Sequence, residues 1–183
     1  VRALNMDIYE PVGDTVSKRP VVIYLHTGNF LPPPINGSPT GLKTDSSAIN
    51  MCRNLAARGF VAISVEYRLG WNPLATTVQE RRGQLLNAVY RAIHDTKQAV
   101  RYVRDSASNL RIDPDKICLF GEGTGGYVAL AYATLDDPLE MELPKFLNPL
   151  TNKSYIDTLQ VGSIDGSGGL LNLYGSSSTS AEV

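Results

Sequence analysis

The 183-residue chain is short of the groups that most protein chemistry runs on. Its two cysteines, Cys52 and Cys118, are too few for a disulfide scaffold and form no CxxC or other metal-ligand spacing. Cys118 sits in an apolar strand and Cys52 on a helix, so both are read as small buried hydrophobes. There are two histidines, His26 and His94, and none beyond residue 94. The formal net charge is −1, which excludes the basic field of a nucleic-acid binder and the polybasic patch of an anionic-lipid binder. No apolar run approaches the ~20 residues that cross a bilayer. No basic-then-apolar leader opens the chain, and neither a secreted nor a cytoplasmic setting is excluded. It does not begin with methionine, so a processed or partial product is expected.

What is present is globular. Hydrophobic residues make up 43% and charged residues 19%, which argues against a disordered chain. At roughly 100–200 residues per domain, residues 1–183 are one domain or the N-terminal portion of one. Residues 176–183 read as a flexible Ser-rich end.

The pattern along the chain alternates strand and helix. Leu4 to Tyr9 is a short alternating segment suited to an edge strand. "VVIYLH", Val21 to His26, is a β-branched run of the kind buried on both faces of a parallel sheet. Thr27 to Thr44 is rich in proline and glycine and reads as a loop. Asp45 or Ser46 caps a helix whose apolar positions are Ala48, Met51, Leu55 and Ala56, closed by Gly59. "FVAISVEYRL" is a second apolar strand. Thr77 to about Ser106 is helical, with a stripe at Leu86, Val89, Ile93, Val100 and Val103, and its length leaves room for two helices. "IDPDK" reads as a turn and "ICLF" as a third buried strand. Tyr127 to Leu135 is apolar all round and is expected to be a buried helix. Beyond Asp136 the pattern has no clear period, and the Ser/Gly-rich stretch that holds Ser163 and Ser167 reads as flexible. The order β, β, α, β, α, β, α predicts an α/β fold: a mainly parallel sheet with helices on both faces. Its functional loops belong at the carboxyl ends of the strands, from His26, Tyr67 and Gly121 onward.

The third loop, "GEGTGG", fits two spellings. Gly121, Gly123 and Gly126 match the dinucleotide fingerprint G-x-G-x-x-G, which also needs a strand ending in an acidic residue about 20 positions on. The candidates there are Glu140 and Glu142, with no β-branched run before them. Gly121, Gly123 and Gly125 match the nucleophile elbow G-x-S-x-G with glycine in the place of serine.

Three further segments carry a resemblance. "VVIYLHTGNF" resembles the strand leading into a His-Gly-Gly-Gly oxyanion loop, "VEYRL" an Asp-Tyr-Arg-Leu strand end, and "IDPDKICLFGEGTGG" the approach to a Gly-Glu-Ser-Ala-Gly-Gly elbow. From Leu4 to Leu135 the chain resembles the α/β-hydrolase superfamily, in its carboxylesterase and lipase branch. The resemblance implies hydrolysis of a carboxylic ester through an acyl-enzyme, without metal or organic cofactor, on a small-molecule ester or carbonyl ligand. It places Gly123 at the nucleophile position, the backbone N–H groups of Gly28, Asn29 and Thr124 in the oxyanion hole, and His26 as support of the oxyanion loop. On the family pattern the Thr124 side chain points away from substrate.

The departures are as informative. The family chemistry needs Ser, then Asp or Glu, then His in chain order. Here the elbow residue is Gly123, and both histidines precede it. His94, on the long helix, is read as a surface or packing residue. Trp71 reads either as lining a pocket mouth or as anchoring its loop. Three origins fit Gly123: a natural non-catalytic relative, a deliberately replaced serine, or a partial record of a longer protein. A fold incomplete in this chain is expected to finish its sheet with a second chain or a missing segment. The alternatives to a serine hydrolase lacking its nucleophile and base are a binding or structural module on the same fold and, third, a nucleotide-binding domain using Gly121 to Gly126.

Overall fold

The computed structural model describes residues 4–13, 15–37 and 40–169. The Ser-rich end at 176–183 lies outside the described residues. Four strands form one mixed sheet in the order β1-β3-β2-β4, with β1 Met6–Tyr9, β2 Arg19–Leu25, β3 Val61–Val65 and β4 Ile112–Gly121. β2 pairs parallel with both β3 and β4, and β1 pairs antiparallel with β3.

The period-2 alternation of β2 and β3 divides the core. Val21, Ile23, Leu25, Val61, Ile63 and Val65 face the larger cluster. There they meet Ala88, Ala92, Ile93, Val100 and Val103 of α3 (Val78–Asp105), and Val128 and Tyr132 of α4 (Thr124–Thr134). On the other face Tyr24 and Ala62 pack on Ala48 and Cys52 of α2 (Ser46–Ala56). Ile23 and Ile63 are wholly inaccessible, and burial of each such side chain contributes about 1.5–3 kcal/mol. α3 is one continuous helix, started by the Thr77 hydroxyl, which accepts from the Glu80 N–H. A four-residue helix, α1 (Pro33–Asn36), interrupts the loop before α2.

The sheet departs from the sequence pattern at β4. "IDPDK" is the extended start of this strand rather than a turn. Cys118 and Phe120 lie on the face that α2 covers over β1, β3 and β2 only, so Cys118 is exposed and Phe120 is 41% exposed. α4 is likewise buried on one side only, at Gly125, Val128 and Tyr132, whereas Tyr127 and Leu130 are 71% and 66% exposed. An apolar run cannot tell a central element from one at the rim. Among the described residues β4 pairs on one side only, which is the edge where the expected completing strand or chain would add.

Beyond α4 come two 3-10 turns, Pro138–Glu142 and Pro144–Phe146, an isolated bridge between Leu147 and Ser154, and α5 (Thr158–Val161). The following Gly/Ser stretch is packed rather than loose. Ile164 is inaccessible, and Gln98 and Arg101 of α3 donate to the carbonyls of Gly166 and Asp165.

Candidate active site

Because β2, β3 and β4 run parallel and in register, they end together: Leu25 lies opposite Val65 on one side and Gly121 on the other. The segments that begin at His26, Glu66 and Glu122 therefore share one end of the sheet. Gly123 is the N-cap of α4, with φ 54° and ψ −119°, a combination open to glycine and strained for any other residue. A Cβ on Gly123 would lie 2.4 Å from Thr27 Oγ1. The tip of the turn thus faces the His26 loop, and the Thr27 side chain fills the room a side chain at 123 would take.

The turn is this tight because its flanks touch backbone to backbone. A Cβ on Gly125 would meet the Leu25 carbonyl oxygen at 2.1 Å, and one on Gly121 would meet the Gly125 carbonyl at 2.2 Å. On Gly126 the nearest atom would be 3.3 Å away. The close contacts therefore fall at the spacing of an elbow and not at that of a dinucleotide fingerprint, whose third glycine packs helix on strand. Glu140 and Glu142 lie in a 3-10 turn, where the Glu140 carboxylate accepts from the Asp136 and Asp137 N–H groups.

Of the residues assigned to an oxyanion hole, the structure brings Asn29 and Thr124 into contact. The Asn29 N–H donates to Thr124 Oγ1 at 3.2 Å. The Thr124 side chain thus turns onto the loop that begins at His26, where a backbone donor meets it. Gly28 backs onto Gly41, whose N–H is held by Asp45 at 2.7 Å. Asp45 occupies the N-cap position of α2, yet its carboxylate reaches back to Gly41 and Leu42 instead of capping the helix.

His26 lies beneath the loop, 2% exposed. Its ring stacks on Tyr67 at 4.3 Å, and its Nδ1 donates to the Thr27 carbonyl at 2.5 Å. Burial pushes the Tyr67 phenol well above its ordinary range, so it stays protonated and donates to the His26 carbonyl. Arg68 is held by Asp95 through its N–H at 2.7 Å and its guanidinium at 2.6–2.9 Å. Tyr67 and Arg68 accordingly support the loop from below. Trp71 is a loop anchor, its indole N–H donating to the Asn29 carbonyl at 3.0 Å.

Burial holds the His26 pKa below its ordinary value, outweighing the Thr27 hydrogen bond. Unfolding frees the ring to take a proton below the ordinary histidine value of 6.5. The unfolded state then binds more protons than the folded one, so stability falls as pH drops below that value and levels off below the folded pKa. The expected slope of stability against pH reaches at most about 1.4 kcal/mol per unit. Urea titrations of the native chain and His26→Gln between pH 5 and 8 measure it. The variant should lose this component, and an identical profile would remove His26 as its source.

His94 is interior, 1% exposed, and not a surface residue. Its Nε2 lies 3.4 Å from the Ser167 carbonyl, and its Nδ1 has no hydrogen-bond partner among the described residues. Neither imidazole is presented to the elbow. Ser163 and Ser167 lie with Asp165 on the far side of α3, where the Ser167 hydroxyl donates to Asp165.

Away from the elbow, and unmarked in the sequence, lies an open groove of about 770 Å³ lined by Gly70, Gln84, Asn87, Arg91, Tyr155 and Gln160 among others. No motif marks it, since its walls are the N-terminal half of α3 and the weakly patterned segment 148–161. Among the described residues no group of three or more His, Cys, Asp or Glu is placed to hold a metal, and no helix is long and apolar enough to cross a membrane.

Comparison with known proteins gives one consistent answer. The BD-FAE family model matches residues 6–180. The chain is 32% identical over 125 residues to carboxylesterase 1C of Rattus norvegicus, covering 67% of this chain and 20% of that protein. It is 30% identical over 125 residues to liver carboxylesterase 1 of Oryctolagus cuniculus, covering 67% and 19%. It thus spans about a fifth of the length of these relatives. Among solved structures it is similar to the native Est2 esterase of Thermogutta terrifontis, with TM-score 0.52, 27% identity, and coverage of 70% of this chain and 38% of that one. The same esterase phosphorylated by paraoxon matches with TM-score 0.51 and 27% identity, over 70% of this chain and 41% of that one.

Proposed function

Because the chain belongs to the BD-FAE family of α/β-hydrolase esterases, we propose that it is a carboxylesterase scaffold whose own elbow performs no acyl transfer. The observation that carries this reading is the contact at the tip. Gly123 offers no hydroxyl, and the Thr27 side chain occupies the room that one would need. Acyl transfer by the family route needs a nucleophile, a base that takes its proton, and a carboxylate that holds the base. His26 is stacked and hydrogen-bonded below the loop, and His94 is buried on α3 with its Nε2 toward the Ser167 carbonyl. Among the described residues neither ring is hydrogen-bonded to the Thr27 hydroxyl: His26 Nδ1 is turned to the Thr27 carbonyl and His94 Nε2 toward the Ser167 carbonyl.

What the chain retains is the oxyanion side. This reading gives the oxyanion role to the backbone N–H groups of Gly28, Asn29 and Thr124, which suit the oxygen of an ester or other carbonyl compound, and the contact between Asn29 and Thr124 supports it. Such an oxygen competes with Thr124 Oγ1 for the Asn29 N–H. The binding of a carbonyl ligand without turnover is therefore the activity this geometry favours, on a scaffold whose longer relatives carry esterase names. Hydrolysis of p-nitrophenyl acetate tests it. The expected rate with the chain equals that of the buffer, and a saturable rate proportional to protein would overturn the reading.

A further inference from the structure

Two consecutive side-chain-bearing residues of the oxyanion loop, Asn29 and Phe30, stand in the left-handed region, with φ 54° and 56°. Asparagine tolerates this conformation, but for a bulky residue such as phenylalanine it is an outlier that the surroundings must impose. Both carbonyls of the strained pair are held by one neighbouring segment. The Trp71 indole N–H donates to the Asn29 carbonyl at 3.0 Å, and the Gly70 N–H to the Phe30 carbonyl at 2.8 Å. That segment is in turn tied to α3. Arg91 donates to the Gly70 carbonyl at 2.5 Å, and the Asn72 N–H donates to Gln84 Oε1 at 2.7 Å. Gln84 and Arg91, two turns apart, lie on one face of the helix and both line the open groove.

We infer that Arg91, assisted by Gln84, is a positioning residue for the oxyanion loop and acts through the peptide of Gly70 and the indole of Trp71. Gly70 is gripped at both of its main-chain groups, its carbonyl oxygen by Arg91 and its N–H by the Phe30 carbonyl. Release of the oxygen frees the segment that holds Asn29 and Phe30 left-handed, and with it the direction of the Asn29 N–H. Burial and the neighbouring Arg68 both depress the Arg91 pKa, but a guanidinium stays charged and keeps its donors. That the loop receives a carbonyl rests on the proposed function, whereas the clasp itself does not.

The chain has one tryptophan, so its fluorescence reports the clasp directly. In folded Arg91→Ala, acrylamide quenching of Trp71 is expected to rise about twofold and hydrogen exchange of residues 28–31 to quicken about tenfold, with exchange of β3 unchanged. Arg91→Lys, which keeps the charge but not the planar fork, should fall between native and Arg91→Ala. Arg82→Ala, on the same helix, removes a contact to the Lys145 carbonyl and should leave both readings at native values. Native quenching and exchange in Arg91→Ala, or faster exchange in β3 by the same factor, would overturn the assignment. If Arg91→Ala does not fold, Arg91→Lys and Gln84→Ala carry the same test: both readings should rise above native by smaller factors with β3 exchange unchanged, and native readings in both variants would overturn the assignment. None of these readings involves ester turnover, so turnover by the native chain would end the proposed function and leave the clasp standing.

Discussion

Gly123→Ser, which returns a hydroxyl to the elbow, is expected to destabilise the chain and to leave it without ester turnover. Two costs add. At φ 54° and ψ −119° a side-chain-bearing residue costs about 1–3 kcal/mol in backbone strain. The new Cβ would also lie 2.4 Å from Thr27 Oγ1 and 3.1 Å from Thr27 Cβ. Rotation of Thr27 moves the hydroxyl but not its Cβ, so overpacking adds about 1–3 kcal/mol. Together these amount to about 2–6 kcal/mol, and each kcal/mol lowers Tm by about 2–4 °C in a chain of this size. Thr27→Gly in the same molecule removes the second cost and leaves the first. The double variant should therefore recover more than about 1 kcal/mol relative to the sum of the single changes. A full thermodynamic cycle by urea unfolding measures this. Additive effects, or a Gly123→Ser chain as stable as the native one, would show that Thr27 does not fill the elbow.

The larger effect is expected at Gly125. Its Cβ would meet the Leu25 carbonyl oxygen at 2.1 Å, the Leu25 carbonyl carbon at 2.6 Å and the His26 oxygen at 2.7 Å. All three are main-chain atoms at the end of a central strand, so no rotamer relieves the clash. α4 must instead lift from β2 and β4, which strips cover from Leu25 and Val128. Gly125→Ala should cost more than about 4 kcal/mol and leave the chain largely unfolded by circular dichroism. Gly126→Ala is the control. Its Cβ would come no nearer than 3.3 Å to any atom outside its own helix and chain neighbours, and alanine gains up to about 1 kcal/mol of helix propensity over glycine. A near-neutral change there beside a ruinous one at Gly125 is the signature of an elbow. The reverse order would favour the packing of a dinucleotide fingerprint.

Much of this was legible in the sequence, for physical reasons. Val21 to Leu25 of β2 and Val61 to Val65 of β3 are runs rich in β-branched residues and without charge, and such runs have few places to go but the middle of a covered sheet. The glycines at 121, 123 and 125 announced a turn too tight for side chains. What escaped notice depends on contacts between distant segments. Thr27 and Gly123 each departed from the family pattern, but only the fold shows that one fills the space the other vacates. The Thr124 hydroxyl took its direction from a backbone N–H at Asn29, which no local pattern encodes. Cys118, Phe120, Tyr127 and Leu130 are as apolar as any core residue, and their exposure follows from β4 lying at the edge of the described sheet. The Gly/Ser stretch at 162–169 read as flexible by composition. Its glycines instead let the backbone press against His94 and Lys97 around one apolar anchor, Ile164. The buried polar run His94-Asp95-Thr96-Lys97 was equally opaque, because a stripe argument allows a helix one hidden face, whereas this turn of α3 is enclosed on several sides.

The similar Thermogutta terrifontis esterase is phosphorylated by paraoxon, which makes that reagent the most direct probe of an elbow without a nucleophile. After incubation of the native chain with excess paraoxon, intact-protein mass spectrometry should show the unmodified mass alone. A stoichiometric diethylphosphoryl adduct, mapped by peptide sequencing to Thr27, Thr124 or any other residue at the tip, would contradict the account.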